Sequence, residues 1–387
     1  MYFILLFLLF CWKLDYVLND NNQDAPLSFT ELAKKYGHNC EDFDVITKDG
    51  YILKLFHIKG DKTKIILLAH GITDSADSFI IRGNLSLAIT LANKGYDVWA
   101  LNVRGTKYSR RHVTLSPDNK KFWDYSFHEM GTKDLPANID FVLNKTNQSK
   151  LTIIGFSQGT QMSFVMSSML SEYNAKLNGI IALAPVAYLH NVKFPLSILI
   201  PLLLPISSVQ KVTDNEEIFK NGSLQTNTIQ KVCTQKNVGY EICGLGVIFP
   251  LLGSDPSELE PDFFPILFEH FPISTSRKNL EHCAQVMTRK KFAQFDYGLA
   301  NLMIYGSLEP PEYPLANINV PVGLLVGLND KIADVTDVKI LRDRLPNPHY
   351  HEIKRKQCNH PDLVYGRTMD EYLYPILFEL LHNFTKS

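Results

Sequence analysis

The sequence is short of net charge, of long apolar runs and of clustered metal ligands, and each shortage excludes a class of protein. Its formal net charge is -1 at pH 7, so no overall attraction to nucleic acid or to an anionic membrane is expected. The apolar run over residues 2–12 is too short to span a bilayer. His349 and His351 share one face of a strand without a third ligand, so no metal site is expected. No organic cofactor is expected either.

What is present is enough apolar material for a large core. The chain has 387 residues, of which 45% are hydrophobic, and this suits either one large domain with an insertion or two domains. The run over residues 2–12 has the length of a signal-peptide core. We therefore predict a cleaved signal over residues 1–18, with an uncleaved anchor as the alternative.

A secretory route agrees with two further features. Five asparagines begin an N-glycosylation sequon, namely Asn84, Asn144, Asn147, Asn221 and Asn383. Of six cysteines, Cys11 leaves with the predicted signal and five remain, so at least one thiol is free. Cys233 and Cys243 are close in sequence and are the predicted disulfide, whereas Cys40, Cys283 and Cys358 are expected to be buried thiols.

The most informative stretch is residues 150–166, where a short β-branched run is followed by Gly155, Ser157 and Gly159 and then by a helix-like apolar pattern. This is the G-x-S-x-G nucleophile elbow. A serine hydroxyl is a weak nucleophile, so the turn must present it sharply to a base. The same turn opens a helix, and the free N–H of Gln158 points to where negative charge would develop on an ester carbonyl.

Around the elbow, strand and helix patterns alternate, which predicts a mostly parallel sheet covered by helices on both faces. Strands are predicted within 41–58 and over 65–69, 97–102, 151–154, 179–185, 320–326 and 350–353, and helices over 30–37, 86–94, 135–143 and 370–382. The alternation fails between residues 188 and 314, where apolar blocks and prolines predict a small inserted subdomain. Its apolar blocks either form the core of that subdomain or form a cap or lid over an apolar pocket. The apolar block over 194–206 suits a surface that opens against lipid.

Two other loops follow predicted central strands and carry polar groups. The strand over 65–69 ends at His70-Gly71-Ile72, and the backbone N–H of Ile72 is the candidate for the second oxyanion donor. Asp330 follows the strand over 320–326, with Asp334 and Asp337 as rivals. Ser157, Asp330 and His360 then stand in the chain order of an α/β-hydrolase triad: nucleophile, acid and base.

Several motifs together resemble the acid lipase family, which includes gastric lipase, lysosomal acid lipase and insect relatives. They are Gly155-Phe-Ser-Gln-Gly159, His70-Gly71-Ile72, Gly95-Tyr-Asp-Val-Trp99, Asn102-Val-Arg-Gly105, Tyr108-Ser109, Phe122-Trp-Asp124, His128-Glu129, Asp134-Leu-Pro136 and Asn329-Asp330 with Ala333-Asp334. The resemblance runs from about Tyr36 to the C-terminus.

The resemblance implies an α/β-hydrolase in which Ser157 is the nucleophile, Asp330 rather than Asp334 the acid, and His360 the base. It also implies that the N–H groups of Ile72 and Gln158 form the oxyanion hole. The region after Tyr188 would be the family's cap and lid, and Cys233 with Cys243 matches its cap disulfide. Two departures, Phe156 for histidine and Ile72 for leucine, bear on substrate preference and pH optimum.

The predicted function is hydrolysis of neutral lipid esters, triacylglycerol or sterol ester, at a lipid–water interface by a secreted or lysosomal monomer. The predicted organisation is a core over 19–187, a cap over 188–314 and a second part of the core over 315–387. Two alternatives remain open at this point: a lipid-binding protein that keeps the fold without turnover, and a peptidase or an esterase of small soluble esters.

Overall fold

The computed structural model describes residues 24–200 and 216–385. The predicted signal and the end of the apolar block at 201–206 lie outside these residues. The described part of the chain contains ten strands, which in chain order are β1 (Cys40–Ile46), β2 (Ile52–Ile58), β3 (Asp61–Ala69), β4 (Tyr96–Leu101), β5 (Leu151–Phe156), β6 (Leu177–Leu183), β7 (Glu217–Ile218), β8 (Thr275–Ser276), β9 (Val322–Val326) and β10 (Pro348–Glu352).

Eight of these strands form one sheet in the order β1-β2-β4-β3-β5-β6-β9-β10. β1 and β2 pair antiparallel, as do β2 and β4, and the remaining pairs are parallel. β5 lies centrally, and all six of its residues are buried, as expected for a strand covered on both faces. The predicted fold class, a mostly parallel α/β sheet of the hydrolase type, is confirmed.

Helices cover the sheet and fill the region between β6 and β9. They are α1 (Phe29–Lys35), α2 (Leu87–Asn93), α3 (Phe127–Glu129), α4 (Leu135–Thr146), α5 (Gln158–Met169), α6 (Leu224–Cys233), α7 (Lys236–Gly239), α8 (Phe249–Leu252), α9 (Phe264–His270), α10 (Arg277–Arg289), α11 (Asn301–Tyr305), α12 (Val335–Arg342), α13 (Asp362–Tyr365), α14 (Met369–Tyr372) and α15 (Tyr374–Phe384). Two π-helical turns, Met130–Asp134 and Tyr240–Ile248, adjoin α4 and α8.

Between β6 and β9, the described residues contain helices α6 to α11 and one small sheet. In that sheet β7 pairs antiparallel with β8. Arg82 of the core donates to the Glu260 carboxylate and lies 4.0 Å from the Phe263 ring. Arg110 donates to Glu217 in the same way. Ion pairs and ring contacts therefore join this region to the core.

One predicted element differs from the structure. The sequence pattern predicts a single closing helix over 370–382, whereas α14 and α15 are separate and meet at Leu373. Pro375 stands in the first turn of α15. A proline in the interior of a continuous helix would remove a backbone hydrogen bond and clash with the preceding turn, so the helix restarts there.

Candidate active site

Ser157 lies at the tip of the turn between β5 and α5. Its backbone has φ 52° and ψ -115°, which is rare for a residue with a side chain. Such a conformation costs on the order of 1–3 kcal/mol, so the surrounding structure must hold it in place. The Ser157 N–H donates to Leu183 O at 3.0 Å, and Ser157 O accepts from the hydroxyl of Thr160 at 2.7 Å.

The two elbow glycines let α5 approach the sheet closely. A Cβ atom on Gly159 would lie 2.0 Å from the carbonyl oxygen of Ala69, at the end of β3. A Cβ atom on Gly155 would lie 2.7 Å from the carbonyl carbon of Gly159. No other residue type fits either position, because both contacts are with backbone atoms that a side-chain rotation cannot move.

A continuous hydrogen-bonded chain joins the three residues of the predicted triad. Ser157 Oγ lies 2.9 Å from His360 Nε2, and His360 Nδ1 lies 2.8 Å from Asp330 Oδ2. A carboxylate accepts, so Nδ1 carries the imidazole proton and Nε2 is free to accept from the hydroxyl. All three side chains are buried. The arrangement has the geometry required of a nucleophile, its base and the group that orients the base.

Asp330 is itself held by the turn after β9. Its Oδ1 accepts the backbone N–H groups of Ile332 and Ala333, each at 2.8 Å. The two rival aspartates have other partners. Asp334 accepts from Thr336 N–H at the start of α12 and forms an ion pair with Lys193. Asp337 accepts the backbone N–H and the side-chain amide of Asn191.

Asn359 and Asp362 hold the loop that carries His360 in place. This role was not predicted from the sequence. Asn359 N–H donates to Asp362 Oδ2 at 2.9 Å, and Asp362 N–H donates to Asn359 Oδ1 at 3.0 Å. The Asn359 amide also donates to Gly253 O. Within the described residues, Asp362 Oδ1 has no hydrogen-bond partner. Burial raises the pKa of the Asp362 carboxyl to about 8.

One predicted oxyanion donor, the Ile72 N–H, lies in the loop after β3, and the other, the Gln158 N–H, lies at the start of α5. Within the described residues, neither the N–H of Gln158 nor that of Ile72 donates to a protein acceptor. Gln158 stands in the first turn of α5, where the N–H groups have no helical partner. In the same loop as Ile72, Thr73 has φ 54°. Both groups are therefore available to an anion.

His70 fixes the peptide that carries the Ile72 N–H, and only its turn had been predicted. His70 Nε2 accepts Val103 N–H at 3.2 Å, so the proton is on Nδ1, which donates to Gly71 O at 2.8 Å. That carbonyl belongs to the same planar peptide as the Ile72 N–H. Burial lowers the His70 pKa to about 4. A histidine directly before the strand-ending glycine is the sequence signal that could have indicated this role.

The remaining predicted site residues are all present in the described part of the chain. Cys233 and Cys243 form a disulfide with a Cα–Cα distance of 5.7 Å. The five sequon asparagines are exposed; their glycosylation stays a prediction. The expectation of buried thiols holds for Cys358 only, because Cys40 begins the edge strand β1 and Cys283 lies on α10, and both are partly exposed.

In residues 24–200 and 216–385, no three His, Cys, Asp or Glu side chains are arranged to hold a metal ion. Every helix in those ranges is too short or too polar to cross a bilayer.

The sheet order, the elbow and the hydrogen-bonded serine, histidine and aspartate define an α/β-hydrolase. A family model described as "alpha/beta hydrolase fold" matches residues 64–203, and one described as "Partial alpha/beta-hydrolase lipase region" matches residues 29–83. A putative lipase from Acinetobacter baumannii has the same fold, with a TM-score of 0.54 and 14% identity over 95% of this chain and 99% of its own.

Sequence relatives define the family. Lipase 1 of Drosophila melanogaster is 35% identical over 93% of this chain and 80% of its own length. Human gastric triacylglycerol lipase is 32% identical over 92% of this chain and 91% of its own. The chain belongs to the acid lipase family, as its motifs indicated, and is a carboxylic ester hydrolase.

Proposed function

We propose that the protein hydrolyses neutral lipid esters through an acyl-enzyme on Ser157. Ser157 Oγ attacks the ester carbonyl carbon while His360 Nε2 takes its proton, and Asp330 stabilises the resulting imidazolium. The negative charge on the carbonyl oxygen is received by the N–H groups of Ile72 and Gln158. Collapse of this intermediate breaks the bond to the alcohol, which leaves with the proton from His360.

The second half of the reaction repeats the first with water. His360 takes a proton from a water molecule, whose oxygen attacks the acyl carbon. The bond to Ser157 Oγ then breaks, the serine regains its proton from His360, and a fatty acid is released. The observation that carries the proposal is the hydrogen-bonded chain Ser157–His360–Asp330, with distances of 2.9 and 2.8 Å.

Neutral lipid as the substrate is supported by exposed apolar side chains beside the loop that carries Asp330. Phe194 and Ile198 are 69% and 55% exposed. Their segment is attached to the loop after β9, because Lys193 N–H donates to Lys331 O at 2.9 Å. Such exposed apolar groups favour contact with a lipid surface. The name of the gastric triacylglycerol lipase relatives agrees with a triacylglycerol substrate.

The organisation and compartment belong to the same proposal. We assign the cap to residues 188–314, between core parts at 19–187 and 315–387, and a signal to residues 1–18. Secretion or delivery to the lysosome is supported by the disulfide and by the exposed sequon asparagines. A monomer is proposed, bound to lipid only at the interface.

The test combines a fluorophosphonate probe with a substrate panel. We expect the probe to label wild type and a Ser168→Ala control, whose serine lies buried in the same helix α5, but not Ser157→Ala. Hydrolysis of emulsified triacylglycerol or sterol ester should disappear with the labelling. Turnover that persists in Ser157→Ala contradicts the proposal.

Two other outcomes point to the alternative functions. Lipid binding by wild type without labelling or turnover indicates a non-catalytic lipid-binding protein. Turnover of soluble esters that does not rise when the substrate forms an interface indicates an esterase of small esters.

A further inference from the structure

Asn279 lies in the first turn of the cap helix α10 and is completely buried. Ser276 caps that helix by accepting Asn279 N–H at 3.0 Å. The side chain of Asn279 points away from its own helix to the elbow, where it meets Gln158, the residue after the proposed nucleophile. No role follows for Asn279 from the triad or from the oxyanion donors themselves.

The two amides exchange hydrogen bonds in both directions. Gln158 Nε2 donates to Asn279 Oδ1 at 3.1 Å, and Asn279 Nδ2 donates to Gln158 Oε1 at 3.2 Å. Asn279 Oδ1 also accepts the backbone N–H of Phe127 at 2.8 Å, and Nδ2 also contacts Thr275 Oγ1 at 3.1 Å. Because a backbone N–H can only donate, the Phe127 contact identifies the oxygen of Asn279 independently of Gln158.

The orientation of the Asn279 amide is therefore fixed, and it fixes the Gln158 side chain in turn. That side chain is attached to the Cα atom whose N–H is a proposed oxyanion donor. A donor of this kind is effective only where it is aimed in advance at the developing charge, and small displacements reduce the rate strongly.

The same cap segment also braces the second donor. Ile273 N–H donates to Thr73 O at 2.7 Å, and Thr73 follows Ile72 in the oxyanion loop. Ile273 and Asn279 are only six positions apart in the chain, and β8 lies between them. Both halves of the proposed oxyanion hole thus rest on a single segment of the cap, residues 273–279.

We propose that Asn279 is a positioning residue that aims the Gln158 N–H, so that the cap holds the oxyanion hole in its active geometry. This inference rests on the proposed function, because it assumes that the Gln158 N–H stabilises the oxyanion. Asn279 acts through Gln158 and contacts neither the substrate carbonyl nor Ser157.

The test uses Asn279→Ala, Gln158→Met and the double variant in hydrolysis of a soluble p-nitrophenyl ester. Gln158→Met keeps the backbone N–H and the length of the side chain but loses the amide. Each single variant should lower kcat by about 10-fold to 100-fold with KM unchanged, because the lost interaction acts only in the transition state. The kcat of the double variant should be no lower than that of the less active single variant, because both substitutions remove the same interaction.

Gln285→Ala is the matched control on the same helix. Its amide makes two hydrogen bonds, with the backbone N–H and O of Asp296, at 2.8 and 3.0 Å, but it does not contact the elbow. We expect it to lower the unfolding midpoint without lowering kcat. A merely structural role for Asn279 would give the same pattern in Asn279→Ala.

The outcomes separate this inference from the proposed function. If Ser157→Ala is inactive while Asn279→Ala and Gln158→Met keep wild-type kcat, the inference is overturned and the proposed function stands. Losses that multiply in the double variant also overturn it. If Asn279→Ala does not fold, Gln158→Met decides alone, since it leaves the cap unchanged. Turnover in Ser157→Ala overturns both.

Discussion

The buried carboxyl of Asp362, which hydrogen-bonds the loop that carries His360, should make the protein less stable as pH rises. In the folded protein its pKa is raised to about 8 by burial, whereas an aspartate in an unfolded chain titrates near pH 4. Between these values the folded state binds one proton that the unfolded state has lost. The contribution is therefore fully favourable below about pH 4 and is lost progressively as pH rises to about 8.

Asp362→Asn should remove this dependence. Asparagine resembles the protonated acid, and its oxygen can still accept the N–H of Asn359, which lies 2.9 Å from Oδ2. Each pH unit in the window is worth about 1.4 kcal/mol for one proton. From pH 4.5 to 7.5 the variant should therefore gain up to about 4 kcal/mol over wild type.

Urea unfolding followed by tryptophan fluorescence measures the difference in unfolding free energy between Asp362→Asn and wild type at pH 4.5 and at pH 7.5. The difference at pH 4.5 serves as the internal control. A variant whose advantage is the same at both pH values would show that the carboxyl is not protonated in the folded state. The positive charge of Arg355 lowers the pKa of this carboxyl and so opposes the effect of burial. An advantage that shrinks as pH rises would mean that Arg355 outweighs burial and keeps the carboxylate charged, which would refute the reasoning.

Three further results are expected. His70→Ala should lower kcat by about 10-fold or more, because the Gly71–Ile72 peptide loses the hydrogen bond from His70 that orients it. An unchanged kcat in steady-state kinetics at pH 7 would contradict this. Phe194→Ser should reduce hydrolysis of emulsified lipid but not of a soluble ester, and an equal loss on both would argue against a lipid-contact role. Replacing Cys233 and Cys243 together by serine should cost about 3 kcal/mol of unfolding free energy, given the ten-residue separation; an unchanged urea midpoint would contradict it.

Much of the sheet could be predicted because its strands are short apolar runs with clear ends. The elbow was recognisable for a different reason: its chemistry requires glycine two residues before and after the serine. The break at Leu373 was missed because the apolar pattern continues through it, although Pro375 was a visible sign of a new helix start.

Choosing among Asp330, Asp334 and Asp337 needed more than the residues themselves. All three follow β9 within a few positions, and local sequence makes each a plausible acid. What distinguishes them is their partners: Lys193 and Asn191, which contact Asp334 and Asp337, lie more than 140 residues away along the chain. Asn279 was missed for the same reason, since its partner Gln158 is 121 residues distant.

The geometry of the site depends on strand register as much as on the reacting residues. Ala69 pairs with Gly155, and Leu183 pairs with both Phe156 and Leu325, so β3, β5 and β9 end at one edge of the sheet. The loops that follow them carry Ile72, Ser157 and Asp330. His360 lies on a separate loop, 203 residues after Ser157. It contacts both Ser157 and Asp330 because the hydrogen bond between Asn359 N–H and Asp362 holds that loop in place. A sheet with correct composition but a shifted register would keep every proposed catalytic residue and still lose the site.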